Sequence, residues 1–208
     1  MKHNGFEYVD LGLPSGTRWA RCNVGANSET DYGLYFAFGE TNGYNRFTNG
    51  DRTFDRRNYK FSNKSFIYNF TKYNNTDEKK VLDLCDDAAH IHMCGKWHMP
   101  TDEQIRELKF NTISDWVTNY NGSGVNGILF TSKSDNSKKL FLPASGCLSN
   151  FVSESAGKVC YYWSSSIYNN NDCYGFIFNI SSSLIFVALS NRNEGNNVRG
   201  VFNTFWMK

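Results

Sequence analysis

The chain has 208 residues, of which 20% are charged and 16% aromatic, with a formal net charge of +2. This length suits one domain, the near-neutral charge argues against a dedicated nucleic-acid binder with its basic stripe, and 17 Phe, 12 Tyr and 5 Trp exclude a disordered chain. No run approaches the ~18 apolar residues of a membrane-spanning helix, and the opening Met1-Lys2-His3-Asn4-Gly5 lacks the apolar core of a secretory leader. Asn (26) and Ser (20) far outnumber Pro (3), and helix formers are scarce. Loops and short strands around an aromatic core, with few helices, are the expectation.

In chain order, Tyr8 to Thr17 reads as a short strand followed by a Pro14/Gly16 turn. Trp19 to Val24 alternates like a half-buried strand. Tyr32 to Phe38 is aromatic-rich. Residues 41–80 form a polar, Asn-rich insertion carrying Arg52, Arg56, Arg57, Lys60, Lys64, Lys72, Lys79 and Lys80. Asp51, Asp55, Asp77 and Glu78 dilute that charge, so the insertion reads as a solvated excursion pinned to the body by its Tyr and Phe, with nucleic-acid contact the weaker reading. A short helix is expected over Asp86 to His92, capped by Asp86 or Asp87 and ended by Gly95. The clearest helix starts at Pro100: Thr101 is an N-cap, Gln104 completes a capping box, and Ile105 and Leu108 supply the buried stripe. Gly127 to Thr131 and Lys139 to Pro143 flank the turn Ser134 to Ser137 and read as a hairpin. Tyr161 to Ser166 opens the last third, two strand candidates follow at Cys173 to Phe178 and Leu184 to Leu189, and Asn197 to Phe202 closes it.

The six cysteines form no CxxC pair, and no His stands at zinc-ligand spacing from one. Buried free thiols are the expectation, because a chain of this size needs no staples. His90, His92 and Cys94 are too loosely spaced to read as a metal site, and no metal or cofactor is expected. His3, His90, His92 and His98 read as packed, hydrogen-bonded side chains rather than catalytic ones. Ser164-Ser165-Ser166 lacks the glycine elbow of a hydrolase.

Four pieces recur in a known order: Val9-Asp10-Leu11-Gly12-Leu13-Pro14-Ser15-Gly16-Thr17 with Trp19-Ala20 and Asn23-Val24-Gly25-Ala26; Asp87-Ala88-Ala89 with Trp97-His98-Met99-Pro100-Thr101; Phe141-Leu142-Pro143-Ala144-Ser145-Gly146; and Tyr162-Trp163-Ser164-Ser165-Ser166 with Gly195 and Val198-Arg199-Gly200-Val201. Over roughly residues 6–202 the chain resembles the Fibrobacter-type major paralogous domain family, common on Bacteroidetes surfaces. It also resembles the variable proteins of diversity-generating retroelements. The resemblance implies one α+β domain over 1–208 with a C-type-lectin-like fold: two short helices, small antiparallel sheets and a loop-rich binding half. It further implies that Trp163-Ser164-Ser165 and Val198-Arg199 bracket a variable segment at 167–194.

The bracketed segment is rich in Asn, with a run at Asn169-Asn170-Asn171. Asn codons are adenine-rich, so adenine-directed mutagenesis would act there, although Asn also suits any polar loop. Alternation along Cys173 to Phe178 places Tyr174, Phe176 and Phe178 on a core face and turns Gly175 and Ile177 outward with Cys173. Matched to the family pattern, the candidate contact residues are Tyr168, Asn169, Asn170, Asp172, Gly175, Ile177, Ile185, Phe186, Ala188, Ser190, Asn191, Asn193 and Glu194. The apolar run Leu184 to Leu189 reads equally as a buried strand or as an exposed patch for a partner.

The carboxylate-and-amide loops that hold calcium in sugar-binding lectins are missing, since Pro143 stands between Leu142 and Ala144. Formylglycine-generating oxidases share the lectin-like fold, but the residues around Cys160 and Cys173 do not match their reactive pair. The expectation is therefore a protein without catalytic residues that binds a protein or glycan receptor, displayed on a bacterial surface or a phage tail tip. A fixed adhesin or a calcium-independent carbohydrate-binding module of the same family is the alternative.

Overall fold

A computed structural model describes residues 1–45, 54–63, 65, 69–149 and 152–203. The chain opens with β1 (Lys2–His3), β2 (Phe6–Val9), β3 (Thr17–Ala20) and β4 (Tyr35–Phe36). Helices α1 (Ala88–Met93) and α2 (Asp102–Asn111) follow, then β5 (Thr112–Val117), β6 (Gly127–Ser132) and β7 (Lys139–Pro143). The last third holds β8 (Cys147–Ser149), β9 (Val152–Glu154), β10 (Val159–Ile167), β11 (Tyr174–Ser181), β12 (Ile185–Asn191), β13 (Asn196–Asn197) and β14 (Val201–Asn203). Two α-helices and four small sheets among the described residues match the expected α+β class. No helix among them is long and apolar enough to cross a membrane.

Local sequence explains most of these elements. Thr101 caps α2, its hydroxyl accepting from the Gln104 amide while the Gln104 side chain accepts from the Thr101 amide. Asp102 and Glu103 then sit at the positive end of the helix. Asp87 caps α1, accepting from the amides of His90 and Met99 at 2.9 and 2.8 Å, and burial pushes its carboxyl pKa up. Asp86 does not cap that helix. It lies in a 3-10 turn at Leu84–Asp86 and faces the insertion. Cys94, rather than Gly95, takes the helix-ending position, with a left-handed φ of 57°. The hairpin β6–β7 pairs Gly127–Thr131 with Lys139–Pro143, and β5 extends it to three strands.

The central sheet has the order β12-β11-β10-β13-β4 and separates two cores. On one face Cys160, Tyr162, Phe178 and Ile180 meet Ile105 and Leu108 of α2 and Ile128, Phe130, Leu140 and Leu142 of the β6–β7 hairpin. On the other face Trp163 and Ile177 meet Phe36, Phe38, helix α1 and the insertion. Phe54, Tyr59, Phe61, Phe70 and Tyr73 of the insertion are all buried in this second core. The insertion is thus held to the body by its Tyr and Phe, as expected, while its other described residues, Ser62 aside, are half-buried or exposed. Several of its basic side chains are engaged: Lys60 and Lys72 donate to Asp86, and Lys72 and Lys79 to Asp83. Arg52 and Lys64 lie outside the described residues.

Candidate functional site

The two brackets are built into the interior. Trp163 donates from its indole nitrogen to the Phe36 carbonyl at 2.7 Å. Ser165 donates to the Met99 and Pro100 carbonyls, and the Ser166 hydroxyl accepts from the Asp102 amide at the start of α2. At the other bracket, Asn197 donates to the carbonyls of Tyr32 and Leu34 and accepts from Ser145. Arg199 is fully buried and donates to Asn23 Oδ1, to the carbonyls of Ala20 and Phe141 at 3.0 and 3.1 Å, and to the Arg21 carbonyl. These bonds fix the exits of the segment 167–194 against three separate parts of the frame.

Within the segment, the candidates fall into three groups. Tyr168, Asn169 and Asn170 lie on the β10–β11 loop, where both Asn are exposed and Tyr168 sits edge-on to Phe176 at 5.4 Å. Phe186 on β12 is 40% exposed, and Ile185 and Ala188 are half-buried. A second group is tied down by polar contacts. Glu194 accepts from Ser190 and, at 2.7 Å, from the Asn191 amide. Asn191 also accepts from Arg56 at 3.1 Å, and Asn193 donates to the Phe54 carbonyl at 3.0 Å. Asp172 is half-buried, with its carbonyl accepting from Arg192. With its amide turned to suit its neighbours, Asn75 donates to the Asn169 carbonyl and to Asp172 Oδ1 at 2.6 and 3.0 Å.

The third group corrects the sequence reading. Gly175 and Ile177 do not face solvent: Ile177 is 3% exposed, and a Cβ on Gly175 would stand 2.8 Å from the Phe38 ring and 3.1 Å from the Trp163 ring. Ser190 on the same face is buried as well. Phe38 and Trp163 cover Gly175, and the insertion's rings surround Arg192 beside it, so alternation along the strand remains but its wet side is reversed at the loop end. Tyr174 and Phe176, expected inside, are half-exposed there, and Leu189, directly across from Phe176, is 39% exposed. The accessible surface is therefore the Tyr168–Asp172 loop with Tyr174, Phe176 and Leu189, rimmed by Arg56 and Asn75 of the insertion.

Sequence reasoning missed Arg192 altogether. It is 1% exposed and surrounded by the rings of Phe38, Tyr59, Phe61, Phe70 and Tyr73 at 4.7 to 6.0 Å. It donates to the Tyr59 hydroxyl and to the carbonyls of Lys72, Tyr73 and Asp172. Among the described residues no carboxylate pairs with it, and the rings and carbonyls take that role. The one available signal was the supply of aromatics in the insertion.

Elsewhere, all six cysteines are free. Cys160 is fully buried, and burial pushes its thiol pKa up, the reverse of a reactive cysteine. Asp83, Cys85 and Asp86 bring potential ligand atoms within 4.8 Å of one another. Lys60, Lys72 and Tyr73 already donate to Asp86, which is the chemistry of an ion-pair network rather than of a cation cage. His90 and His92 each contact a backbone carbonyl, of Trp97 and Thr41, and do not converge with Cys94. A cleft of about 530 Å³ beside the β1–β2 hairpin, lined by Phe6, Cys22, Val24 and Met93 among others, shares no residue with the segment. Comparison with family models, curated proteins and solved structures returns no match.

Proposed function

We propose that the protein binds a receptor through the Tyr168–Asp172 loop and the adjoining half-exposed end of β11 and β12, on a scaffold of C-type-lectin type. The observation that carries this reading is the contrast in burial along one stretch of chain. Trp163 to Ser166 and Gly195 to Gly200 are buried throughout, while Asn169 to Asn171 and Ser182 to Leu184 between them are exposed. A rigid frame that holds out a short accessible loop tolerates substitution at the loop with little effect on folding. Tyr168 and Tyr174 supply stiff amphipathic area and the Asn run supplies adaptable hydrogen bonding, the composition that serves antibody loops. The two helices and small sheets are in keeping with the lectin-like scaffold.

The same contrast redraws the diversified set. Gly175, Ile177, Ser190 and Arg192 belong to the frame, and diversification would concentrate at Tyr168, Asn169, Asn170 and Phe186. A phage tail tip or a bacterial surface is the setting in which such variation is useful. Sequencing the gene from many siblings of one strain tests this. Differences confined to exposed positions, with 163–166 and 195–200 unchanged, are the expected result. Siblings identical throughout 167–194 would overturn diversified display and leave a fixed adhesin or carbohydrate-binding module.

A further inference from the structure

The outer edge of β12 has the properties of a pairing surface. Bonds from the Arg192 amide to the Cys173 carbonyl and from the Ser181 amide to the Leu184 carbonyl fix which residues of this hairpin face inward. By antiparallel alternation Phe186, Ala188 and Ser190 bond to β11, and the N–H and C=O of Ile185, Val187, Leu189 and Asn191 point away from the sheet. Among the described residues no strand pairs with that edge, since β12 ends the sheet. Natural edge strands are blunted by charge, proline, a bulge or shortness. From Ile185 to Asn191 this strand has no charged residue and no Pro, and it runs seven residues in unbroken register. Phe186 (40%), Leu189 (39%) and the adjoining Leu184 (61%) add exposed apolar area.

We propose that this edge pairs with the β12 of a second copy, antiparallel, about a two-fold axis at Val187. In that register Ile185 lies opposite the copy's Leu189, Val187 opposite Val187, and Phe186 opposite Ala188. Every opposed pair in the centre is apolar, and no like charges meet. The outward groups of Ile185, Val187 and Leu189 are all matched, giving six intermolecular backbone hydrogen bonds. The Asn191 carbonyl already accepts from the Glu194 amide at 2.9 Å. An isologous two-fold contact of this kind closes on itself and yields a dimer rather than a fibre. Strand, flanking side chains and Leu184 together cover on the order of 1,000 Å² in total, the lower bound for a specific interface. The expected affinity is accordingly micromolar, with monomer and dimer in exchange. This edge shares Phe186 and Leu189 with the receptor surface proposed above, so a second copy and a receptor seated on that end of β12 would compete.

Sedimentation velocity on the full chain from about 1 to 500 µM, with backbone hydrogen exchange at both extremes, tests the proposal. The expected result is a mass rising from 23.8 kDa toward twice that value, with the amides of Ile185, Val187 and Leu189 slowing as concentration rises. Leu189→Lys should weaken association at least tenfold, and Leu189→Pro, which removes only an outward N–H, should do the same. Phe110→Ser, at a residue 64% exposed on α2, should leave it unchanged. Far-UV circular dichroism identifies any variant that has lost its fold, and the exchange pattern of the unmodified chain decides the matter without variants. A monomer at every concentration, a dimer that survives both Leu189 substitutions in folded protein, or growth past the dimer would each overturn the proposal.

Discussion

Replacing Arg192 should unfold more of this protein than its place between the two variable-looking asparagines, Asn191 and Asn193, suggests. Arg192→Ala deletes the bonds to the carbonyls of Lys72, Tyr73 and Asp172, at 3.0, 3.0 and 3.1 Å, and the bond to the Tyr59 hydroxyl. Tyr59 keeps its own bond to the Phe38 carbonyl, so the three carbonyls are the acceptors left stranded. Each stranded buried acceptor costs about 1 kcal/mol at the low end of the usual range. Losing a desolvated cation over aromatic rings adds about 2 kcal/mol. The sum, about 5 kcal/mol, is a large part of the ~5–15 kcal/mol that holds a typical domain together. Arg192→Lys keeps the charge but serves fewer acceptors, because an ammonium lacks the planar fork. It should lose about half as much and remains measurable if the alanine variant does not fold. Urea unfolding followed by Trp fluorescence reads both, with Asn170→Ala expected within about 0.5 kcal/mol of the parent. A loss below about 1.5 kcal/mol for Arg192→Ala, or an equal loss for Asn170→Ala, would refute the claim that Arg192 belongs to the frame.

Three further outcomes are expected. Burial raises the Asp86 carboxyl pKa, but the hydrogen bonds from Lys60, Lys72 and Tyr73 outweigh it and hold the pKa at about 2. Because the folded value lies below the unfolded one, its stabilisation is complete above about pH 4 and is lost as pH falls toward 2. Asp86→Asn should therefore lose about 2 kcal/mol at pH 7, a deficit that shrinks on acidification in pH-dependent urea titrations. A chromogenic thiol reagent should modify exposed Cys85 and Cys94 quickly in the native protein and reach buried Cys160 only on unfolding. Rapid native modification of Cys160 would instead reopen thiol chemistry on this fold. Thr101→Ala breaks the capping box and should lower stability by about 1 kcal/mol, readable as a lower urea midpoint at unchanged slope.

Local signals carried well from sequence to structure where one physical cause acted alone. The Thr101 and Gln104 pair marked the start of α2, and the polar turn at 134–137 marked the β6–β7 hairpin. The apolar run at Leu184 to Leu189 proved to be an edge strand, half-buried on one side and open on the other. The faces of β11 were not legible. Alternation fixes which side chains share a face, but residues distant in sequence, Phe38 and the insertion's aromatics, decide which face is covered. Ile177 and Gly175 were misplaced for that reason. Strand β5 was missed because Thr112 follows α2 with no breaker between them. Arg192 was missed because a charge in a polar segment reads as surface, and its ring partners lie more than a hundred residues upstream.

The pairing of β14 with β3 joins Val201 to Trp19, and Arg199 reaches back to Ala20 in the same region. Strand β3 must consequently wait for β14, far later in the chain, before the sheet can close. Such end-to-end closure slows folding relative to a protein of local contacts. Until Val198, Val201 and Phe202 are in place both cores lack residues that complete them, and such partly folded chains are the ones prone to associate.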